Sequence, residues 1–283
     1  MGLTGLPGTL IAGVWRQPSG RAALVTLALI VAAALAGPPF LPDPAAQPDV
    51  LGQASLPPGS GHLFGTDPLS RDVLSRVVGG ARVSLAVAGL AVLVSVTIGA
   101  GAGLVAGYLA GAVDAVLMRL VDAALAIPRL FILLLLLAVW DHIPLGALIL
   151  ILGTTGWFGT SRLVRGEVLR LKQEAFVTGA EALGAGRARV MFRHLFPNTV
   201  GPLLVAATLG VGDVILLEAG LSFLGLGIQP PRPSWGGMIF DAKAELLTAP
   251  WTSIFPGLAI AATVLAVNLL GDALSGALDP RQS

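Results

Sequence analysis

The sequence predicts an all-α, polytopic membrane protein with six transmembrane helices. Of its 283 residues, 55% are hydrophobic and only 12% are charged, whereas about 25% of residues are charged in an ordinary soluble domain. Several apolar runs of about 20 residues are each long enough to cross a hydrocarbon core roughly 30 Å thick. Helices are the expected spanning element because each helix satisfies its own backbone amides within lipid.

The N-terminal part reads as a lead, a first span and an external segment. Residues 1–20 form a polar lead, and residues 21–41 form the first apolar run. Ala34 and Ala36 give an A-x-A pattern that also fits a signal-peptide cleavage site, but the run exceeds the usual 7–15 residue h-region, which favours a retained helix. Prolines then crowd residues 42–82, which predicts an extended external segment.

The remaining five spans lie in a core region, residues 83–272, which is followed by a tail at 273–283. The second span carries glycines at small-residue spacing, which permits close helix approach. The third is irregular, since Pro128 interrupts it. A second proline- and glycine-rich external segment, residues 225–250, precedes the last span. The predicted spans after the first are 83–113, 119–140, 145–161, 199–217 and 251–270.

The basic residues of the core are concentrated in one loop between the fourth and fifth spans, residues 165–198. This concentration predicts that the loop and both termini lie in the cytoplasm by the positive-inside rule. The basic residues in and next to the loop are Arg162, Arg165, Arg170, Lys172, Arg187, Arg189 and Arg193.

The same loop carries helical periodicity. Phe176, Ala180 and Leu183 recur at spacings of four and three, which places them on one helical face. Gly184 can adopt the left-handed conformation that ends a helix, and a second short helix is expected from Arg187 to Leu195, ending before Pro197. On this pattern alone, an amphipathic helix lying on anionic lipid headgroups is an equal alternative.

Several function classes are excluded by what the sequence lacks. The chain has no cysteine, so disulfides, thiol nucleophiles and cysteine metal sites are excluded. The chain has only two lysines, Lys172 and Lys243, and neither follows a glycine. A Walker A motif, which needs a Gly-Lys pair, is therefore absent. The three histidines lack metal-ligand spacing, and Ser60 near His62 has no third group to complete a hydrolase site. No catalytic or metal-ligating residue and no cofactor are expected, and a net charge of +1 argues against nucleic acid as a partner.

The basic loop resembles the EAA loop of bacterial ABC-importer permeases, with Ala180, Gly184 and Pro197 at matching positions. Longer stretches resemble the C-type permease subunit of dipeptide and oligopeptide importers. They are HLFGTDPLSRDVLSRVVGGARVSL from His62, EALGAGRARVMFRHLFPN from Glu181, LSFLGLGIQPPRPSWGGMI from Leu221 and NLLGDALSGALDPR from Asn268. The resemblance implies a type I ABC-importer permease (MetI-like) fold and a location in the bacterial cytoplasmic (inner) membrane.

The resemblance also implies a function and a set of partners. The chain is expected to translocate di- or oligopeptides together with a homologous second permease, two ATPase subunits or domains, and an extracytoplasmic peptide-binding protein. ATP and Mg²⁺ belong on the ATPases, and lipid surrounds the spans. The residues implied to couple to the ATPase are Phe176, Ala180, Leu183, Gly184, Arg187, Arg193 and Pro197.

Charged residues at membrane depth are candidates for the translocation pathway, because such groups are costly unless they face water or a partner. Arg129, Asp213 and Glu218 are the candidates, and Glu218 is expected at an external gate. Arg119, Asp122 and Arg129 share one helical face if the third span is continuous. Alternatively, Pro128 divides an elbow helix from a short span and leaves Arg119 and Asp122 at the headgroups.

A self-contained carrier driven by an ion gradient is the alternative from another class. Such carriers usually show internal repeats and broken helices around a midplane site. The sequence shows no repeat, although Pro128 keeps a broken helix possible. The substrate itself, whether a dipeptide, a longer peptide, a nickel complex or another solute, does not follow from the sequence.

Overall fold

The computed structural model describes residues 6–278, and the regular elements within them are helical apart from an isolated β-bridge between Thr66 and Asp72. The α-helices are α1 (Leu6–Arg16), α2 (Pro18–Ala36), α3 (Val73–Leu109), α4 (Gly111–Leu125), α5 (Arg129–Leu137), α6 (Leu145–Thr154), α7 (Trp157–Leu171), α8 (Ala175–Ala182), α9 (Arg187–Arg189), α10 (Phe196–Phe223), α11 (Trp235–Asp241) and α12 (Trp251–Leu278). Short 3₁₀ turns lie at Pro38–Phe40 and Ala242–Glu245, and a π turn lies at Val190–Leu195. The predicted all-α class is confirmed.

Five helical stretches of the described part are long and apolar enough to cross a membrane, and a sixth crossing results if the bent pair α4–α5 counts as one span. The five are Pro18–Ala36, Val73–Leu109, Leu145–Leu171, Arg187–Phe223 and Trp251–Leu278. The shortest has 19 residues, or about 29 Å at 1.5 Å per residue. This agrees with the predicted count of six.

The first two spans begin earlier than predicted. Helix α2 starts at Pro18 and ends at Ala36, where Gly37 and two prolines interrupt it. Helix α3 starts ten residues before the predicted position because the Asp72 carboxylate caps it by accepting a hydrogen bond from the Ser75 amide at 2.8 Å. The charge of Arg76 does not end the helix, since its guanidinium is paired with Asp67 and Asp241.

The third span is divided at Pro128, as one of the two sequence alternatives predicted. Helices α4 and α5 meet at an angle of 82°, so the alternative in which Arg119, Asp122 and Arg129 share one helical face is wrong. Helix α4 packs against α7 through the ion pairs Asp114–Arg165 and Asp122–Arg162. These pairs let α7 carry arginines and run ten residues past the predicted end of the fourth span.

The fifth span continues directly from the basic loop. A separate short helix ending before Pro197 was predicted, and this is wrong: residues 187–223 form one helical stretch. Pro197 lies in the first turn of α10, where a missing N–H is tolerated, and the π turn at 190–195 joins the pieces. The stretch also passes the predicted end at Leu217 and reaches Phe223.

Helix α3 is the centre of the bundle. Val87, Ala88 and Ala91 are fully buried on it, and it packs against α7, α10, α6 and α2. Its glycines permit close contact with α7: a Cβ on Gly103 would lie 2.8 Å from the Val164 Cβ. The predicted close approach therefore occurs within the chain, and this face is not free for a second permease.

The bundle has two ends with different contents. At one end, here called the hairpin end, lie α8, α1 and the last turn of α12, where Gly13 contacts Ala277 and Gly201 contacts Leu278. At the other, the α11 end, Gly37 after α2 meets Val78 near the start of α3, and α11 lies against α10 and α12. Both ends of the described chain thus lie at the hairpin end.

Candidate coupling surface and membrane-embedded charges

The coupling hairpin, residues 172–198, consists of α8, a glycine turn and the start of the 187–223 stretch. The periodicity of Phe176 and Ala180 correctly predicted α8, and Leu183 is its C-cap residue. Gly184 has φ +83°, and its amide donates to the Glu181 carbonyl at 2.9 Å. A residue with positive φ can end a helix in this way. The conformation costs little free energy in glycine because glycine has no Cβ.

The inner side of the hairpin is fixed to the bundle by apolar packing. Val177, Val190 and Leu195 are buried and join a cluster contributed by α3, α7 and α10. The members of this cluster from those helices are Ala100, Leu104, Val164, Val168, Leu171 and Leu203. A force applied to the hairpin therefore acts on packed helices rather than on a free loop.

The outer side of the hairpin is apolar and uncovered in the isolated chain. Leu183 is 91% exposed, Phe192 is 64% exposed and Phe176 is 44% exposed. Gly184, Arg187 and Arg193 are also exposed, while Ala180 and Pro197 are half-buried. The seven predicted coupling residues thus lie on one protruding unit. The sequence reasoning missed Phe192, although an aromatic residue between arginines was a visible signal.

A polar link that was not predicted ties the hairpin to the end of α3. The Tyr108 hydroxyl donates to Glu181 Oε1 at 3.2 Å. Lys172 Nζ donates to the Tyr108 carbonyl at 2.8 Å and lies 5.3 Å from the centre of the Tyr108 ring. The contacts join the end of α7, through Lys172, and the last turn of α8, through Glu181, to the same residue of α3.

The structure brings together two of the three predicted pathway residues. Arg129 begins α5 and donates from Nη2 to the Leu152 carbonyl at 2.5 Å and from Nε to Thr155 Oγ1 at 3.4 Å. Asp213 is exposed on α10 and lies within electrostatic range of the Arg129 guanidinium. Among the described residues, no salt bridge within 4 Å joins the two side chains.

Glu218, the third candidate, lies in a buried cluster. It was expected to close the fifth span at an external gate, but it lies inside α10 with only 1% of its surface exposed. The Ser222 hydroxyl donates to Glu218 Oε1 at 2.7 Å, and the Ser84 hydroxyl lies 3.4 Å from Oε2. In this conformation Glu218 is covered by α11.

The α11 end also contains a buried ion-pair cluster that was not predicted. Arg71 Nε donates to Asp67 at 2.6 Å and Arg71 Nη2 to Asp241 at 3.2 Å. Arg76 binds the same two carboxylates. Two arginines matched by two aspartates make the cluster neutral, and it fastens the segment before α3 to α11.

The tryptophans of this end pack within the fold. Trp235 is buried and donates from Nε1 to the Val77 carbonyl at 3.0 Å. Trp251 Nε1 donates to the Thr66 carbonyl at 3.1 Å. His62 pairs with Asp72 at 2.9 Å. Within residues 6–278, no group of three His, Asp or Glu residues could hold a metal ion.

Comparison with known proteins identifies the family of this chain. The sequence model described as "Binding-protein-dependent transport system inner membrane component" matches residues 99–283, which is well over half of the chain. The chain belongs to this family. Membership confirms the resemblance found in the sequence and the predicted MetI-like permease fold, and it favours a permease subunit over a self-contained carrier.

Relatives within the family are similar over most of their length. The dipeptide transport system permease protein DppC of Bacillus subtilis (strain 168) is 41% identical over 92% of this chain and 81% of its own. The oligopeptide transport system permease protein OppC of the same organism is 38% identical over 91% and 84%. The glutathione transport system permease protein GsiD of Pectobacterium atrosepticum is 41% identical over 79% and 73%.

Family membership fixes the general class of this transport-system component. It is a multi-pass permease of the inner membrane and belongs to a transport family rather than an enzyme family. It works in a binding-protein-dependent system, so it acts together with other components. These statements match the corresponding sequence predictions.

Proposed function

We propose that this chain translocates di- or oligopeptides as the permease subunit of an ATP-driven importer. The observation that carries the proposal is the coupling hairpin, whose inner side is packed into the bundle while its outer side presents Phe176, Leu183 and Phe192 uncovered. The peptide substrate is supported by the relatives, because those named above are permeases for dipeptides, oligopeptides and glutathione.

The occupant proposed for the hairpin surface is an ATPase subunit or domain. Exposed aromatic and aliphatic side chains surrounded by arginines have the composition of an interface hot spot. The contact residues proposed are Phe176, Ala180, Leu183, Gly184, Arg187, Arg193 and Pro197, to which Phe192 is added by its exposure. ATP and Mg²⁺ would be held on the ATPase, and this chain would convert its closure into movement of α10.

The hairpin end is proposed to face the cytoplasm and the α11 end the outside. Basic residues without a buried partner concentrate at the hairpin end, in keeping with the positive-inside rule, and both termini would then be cytoplasmic. A homologous second permease would complete the pathway, and a peptide-binding protein would dock at the α11 end. The other apolar helix faces would contact lipid.

Arg129 and Asp213 are proposed to line the pathway. A zwitterionic peptide loses hydration at both of its charged ends when it enters the membrane, and a separated pair of opposite charges can compensate both. The Asp213→Asn variant, assembled with its partners, should lose peptide uptake while it inserts normally. Normal uptake and assembly in that variant would remove Asp213 from the pathway.

The ATPase interface is tested by Leu183→Asp, with Thr178→Asp as the matched control. Thr178 lies on α8 and Leu183 is its C-cap residue; both are exposed, but only Leu183 belongs to the apolar surface. A charge at a hot spot costs about 2 kcal/mol or more, so Leu183→Asp should abolish co-purification with the ATPase and ATP-driven uptake in proteoliposomes. Uptake by Leu183→Asp equal to that of Thr178→Asp, at equal expression, would refute the proposed interface.

A further inference from the structure

We propose that Glu218 is a positioning residue that holds α11 against α10 and α3. The cluster responsible, here called the Glu218 cluster, consists of Glu218 and Ser222 on α10, Ser84 on α3 and Ser234 at the start of α11. Through it, a buried carboxylate helps to fix the start of α11, while the ion pairs of Asp241 with Arg71 and Arg76 hold its other end.

The hydrogen bonds of the cluster connect three helices. Ser222 donates to Glu218 Oε1 at 2.7 Å within α10. Ser84 of α3 reaches Oε2 at 3.4 Å and accepts from the Trp235 backbone amide at 3.3 Å. The Ser234 hydroxyl accepts from the Gly237 amide at 3.1 Å and so caps α11. Ser222 and Ser84 direct their hydroxyls at the carboxylate, and Ser84 links it to the start of α11 through the Trp235 amide.

The carboxylate is the part of the cluster that cannot be replaced by ordinary packing. Glu218 has no cationic partner within 4 Å among the described residues, so hydroxyl donors alone stabilise it. A buried acceptor in this position is costly unless its hydrogen bonds are made. Removing it would leave buried hydroxyls without an acceptor, which water entering beneath α11 could satisfy.

The surfaces around the cluster are shaped for direct contact. A Cβ on Gly236 would lie 2.5 Å from Ala219 Cα, and one on Gly80 would lie 3.2 Å from Trp235 Cδ1. Helix α11 therefore rests on the backbone of α10 and α3. Glycines have no side chain that could interlock with the neighbouring helix. Hydrogen bonds therefore contribute to the orientation of α11 at these contacts.

The cluster lies at the far end of the helical stretch that begins in the coupling hairpin. Residues 187–223 comprise 37 residues, or about 55 Å of helix. On the proposed function, a displacement of the hairpin by an ATPase would move this stretch, and the Glu218 cluster would carry α11 with it. The holding of α11 itself does not depend on that function.

The absence of cysteine from the sequence makes thiol labelling a direct test. Met238 on α11 is 3% exposed and Phe240 on the same helix is 38% exposed. The thiol introduced by Met238→Cys should react slowly with a maleimide in membranes of cells expressing the full transporter, and that of Phe240→Cys should react quickly. Adding Glu218→Ala should raise the labelling rate of the Met238→Cys thiol by about tenfold or more, as a local opening of α11 would.

Glu218→Gln is the conservative control, because the amide keeps one acceptor oxygen and the size of the side chain. It should keep the Met238→Cys thiol protected. The proposal is overturned if Glu218→Ala leaves that thiol as protected as in the unmodified background, or if Glu218→Gln exposes it equally. Should Glu218→Ala fail to insert, Ser84→Ala removes one hydroxyl only and should raise the labelling rate by a smaller factor; an unchanged rate would overturn the proposal as well.

The labelling result is independent of coupling to ATP hydrolysis. If the ATPase interface is wrong, Leu183→Asp leaves uptake unchanged while the effect of Glu218→Ala on labelling persists. If the positioning role is wrong, labelling is unaffected by Glu218→Ala whatever the hairpin binds. The two failures are therefore distinguished.

Discussion

Tyr108 at the end of α3 donates a hydrogen bond to Glu181 on α8 over 3.2 Å. Tyr108 is the only tyrosine in the chain, and its backbone carbonyl also receives Lys172 Nζ from the start of the hairpin. Helix α3 is the centre of the bundle, so this contact is a second route, beside the 187–223 stretch, from the hairpin into the spans.

Tyr108→Phe should reduce the amount of peptide taken up per ATP hydrolysed without reducing expression. An exposed neutral-to-charged hydrogen bond contributes about 0.5–3 kcal/mol, which is enough to alter the positioning of α8 but not the fold. Uptake and hydrolysis are measured together in proteoliposomes. Glu181→Gln retains an acceptor oxygen and serves as the control. If Tyr108→Phe takes up as much peptide per ATP hydrolysed as the unmodified protein, the Tyr108–Glu181 hydrogen bond has no part in coupling.

Gly184→Ala should weaken the hairpin, whereas Gly186→Ala should not. Neither glycine has a neighbour within 4 Å of an added Cβ, but Gly184 has φ +83° and Gly186 has φ −65°. The difference is therefore purely conformational and amounts to about 1–2 kcal/mol for a residue with a Cβ in the left-handed region. Affinity for the ATPase, measured by titration of the solubilised complex, should fall about fivefold or more in Gly184→Ala. Equal affinities in the two variants would contradict the role of the left-handed turn.

Gly103→Val should destabilise the bundle, and Gly101→Val should have little effect. A Cβ on Gly103 would lie 2.8 Å from the Val164 Cβ and 3.0 Å from the Arg165 amide nitrogen. A Cβ on Gly101 would have no neighbouring atom within 4 Å. Overpacking of this kind costs about 1–3 kcal/mol. The melting temperature of the solubilised protein reports the change. Similar melting temperatures for the two variants would mean that α3 and α7 do not pack as described.

Much of the fold followed from the sequence, since apolar length, proline position and helical periodicity are local properties. The Pro128 break, α8 and the Gly184 stop were of this kind. The end of α7 was misplaced because Arg162 and Arg165 were counted with the basic loop. Their carboxylate partners lie 40 and 51 residues away in the chain, and such pairing is visible only in three dimensions.

The candidate site was predictable to a similar degree. The hairpin residues were recognisable because their helical periodicity and their charge are local features of one short stretch of sequence. The burial of Glu218 was not, because it depends on Ser84, which lies 134 residues away, and on α11 folding back over both. A carboxylate near the end of a span gives the same sequence pattern whether it faces a pathway or supports a neighbouring helix.

The two ion pairs between α4 and α7 should differ in strength. Arg165 binds Asp114 through two nitrogens, with Nη2 2.6 Å from Oδ2, and the side chains are 32% and 16% exposed. The Arg162–Asp122 pair is 49% and 57% exposed. Solvent screens an exposed pair, which contributes about 0.2–1 kcal/mol, whereas a bidentate, partly buried pair is stronger and geometrically specific.

Double-mutant cycles on the solubilised protein would measure this difference. Asp114→Ala, Arg165→Ala and their combination should give a coupling energy of about 1–2 kcal/mol, within the range for contacting residues. The same cycle with Asp122→Ala and Arg162→Ala should give a smaller coupling energy, below about 1 kcal/mol. Because the Asp114–Arg165 pair is the stronger of the two links between α4 and α7, breaking it should also reduce ATP-driven uptake, whereas breaking the Asp122–Arg162 pair should not. A larger coupling energy for Arg162–Asp122 would mean that exposure does not govern how α4 is held.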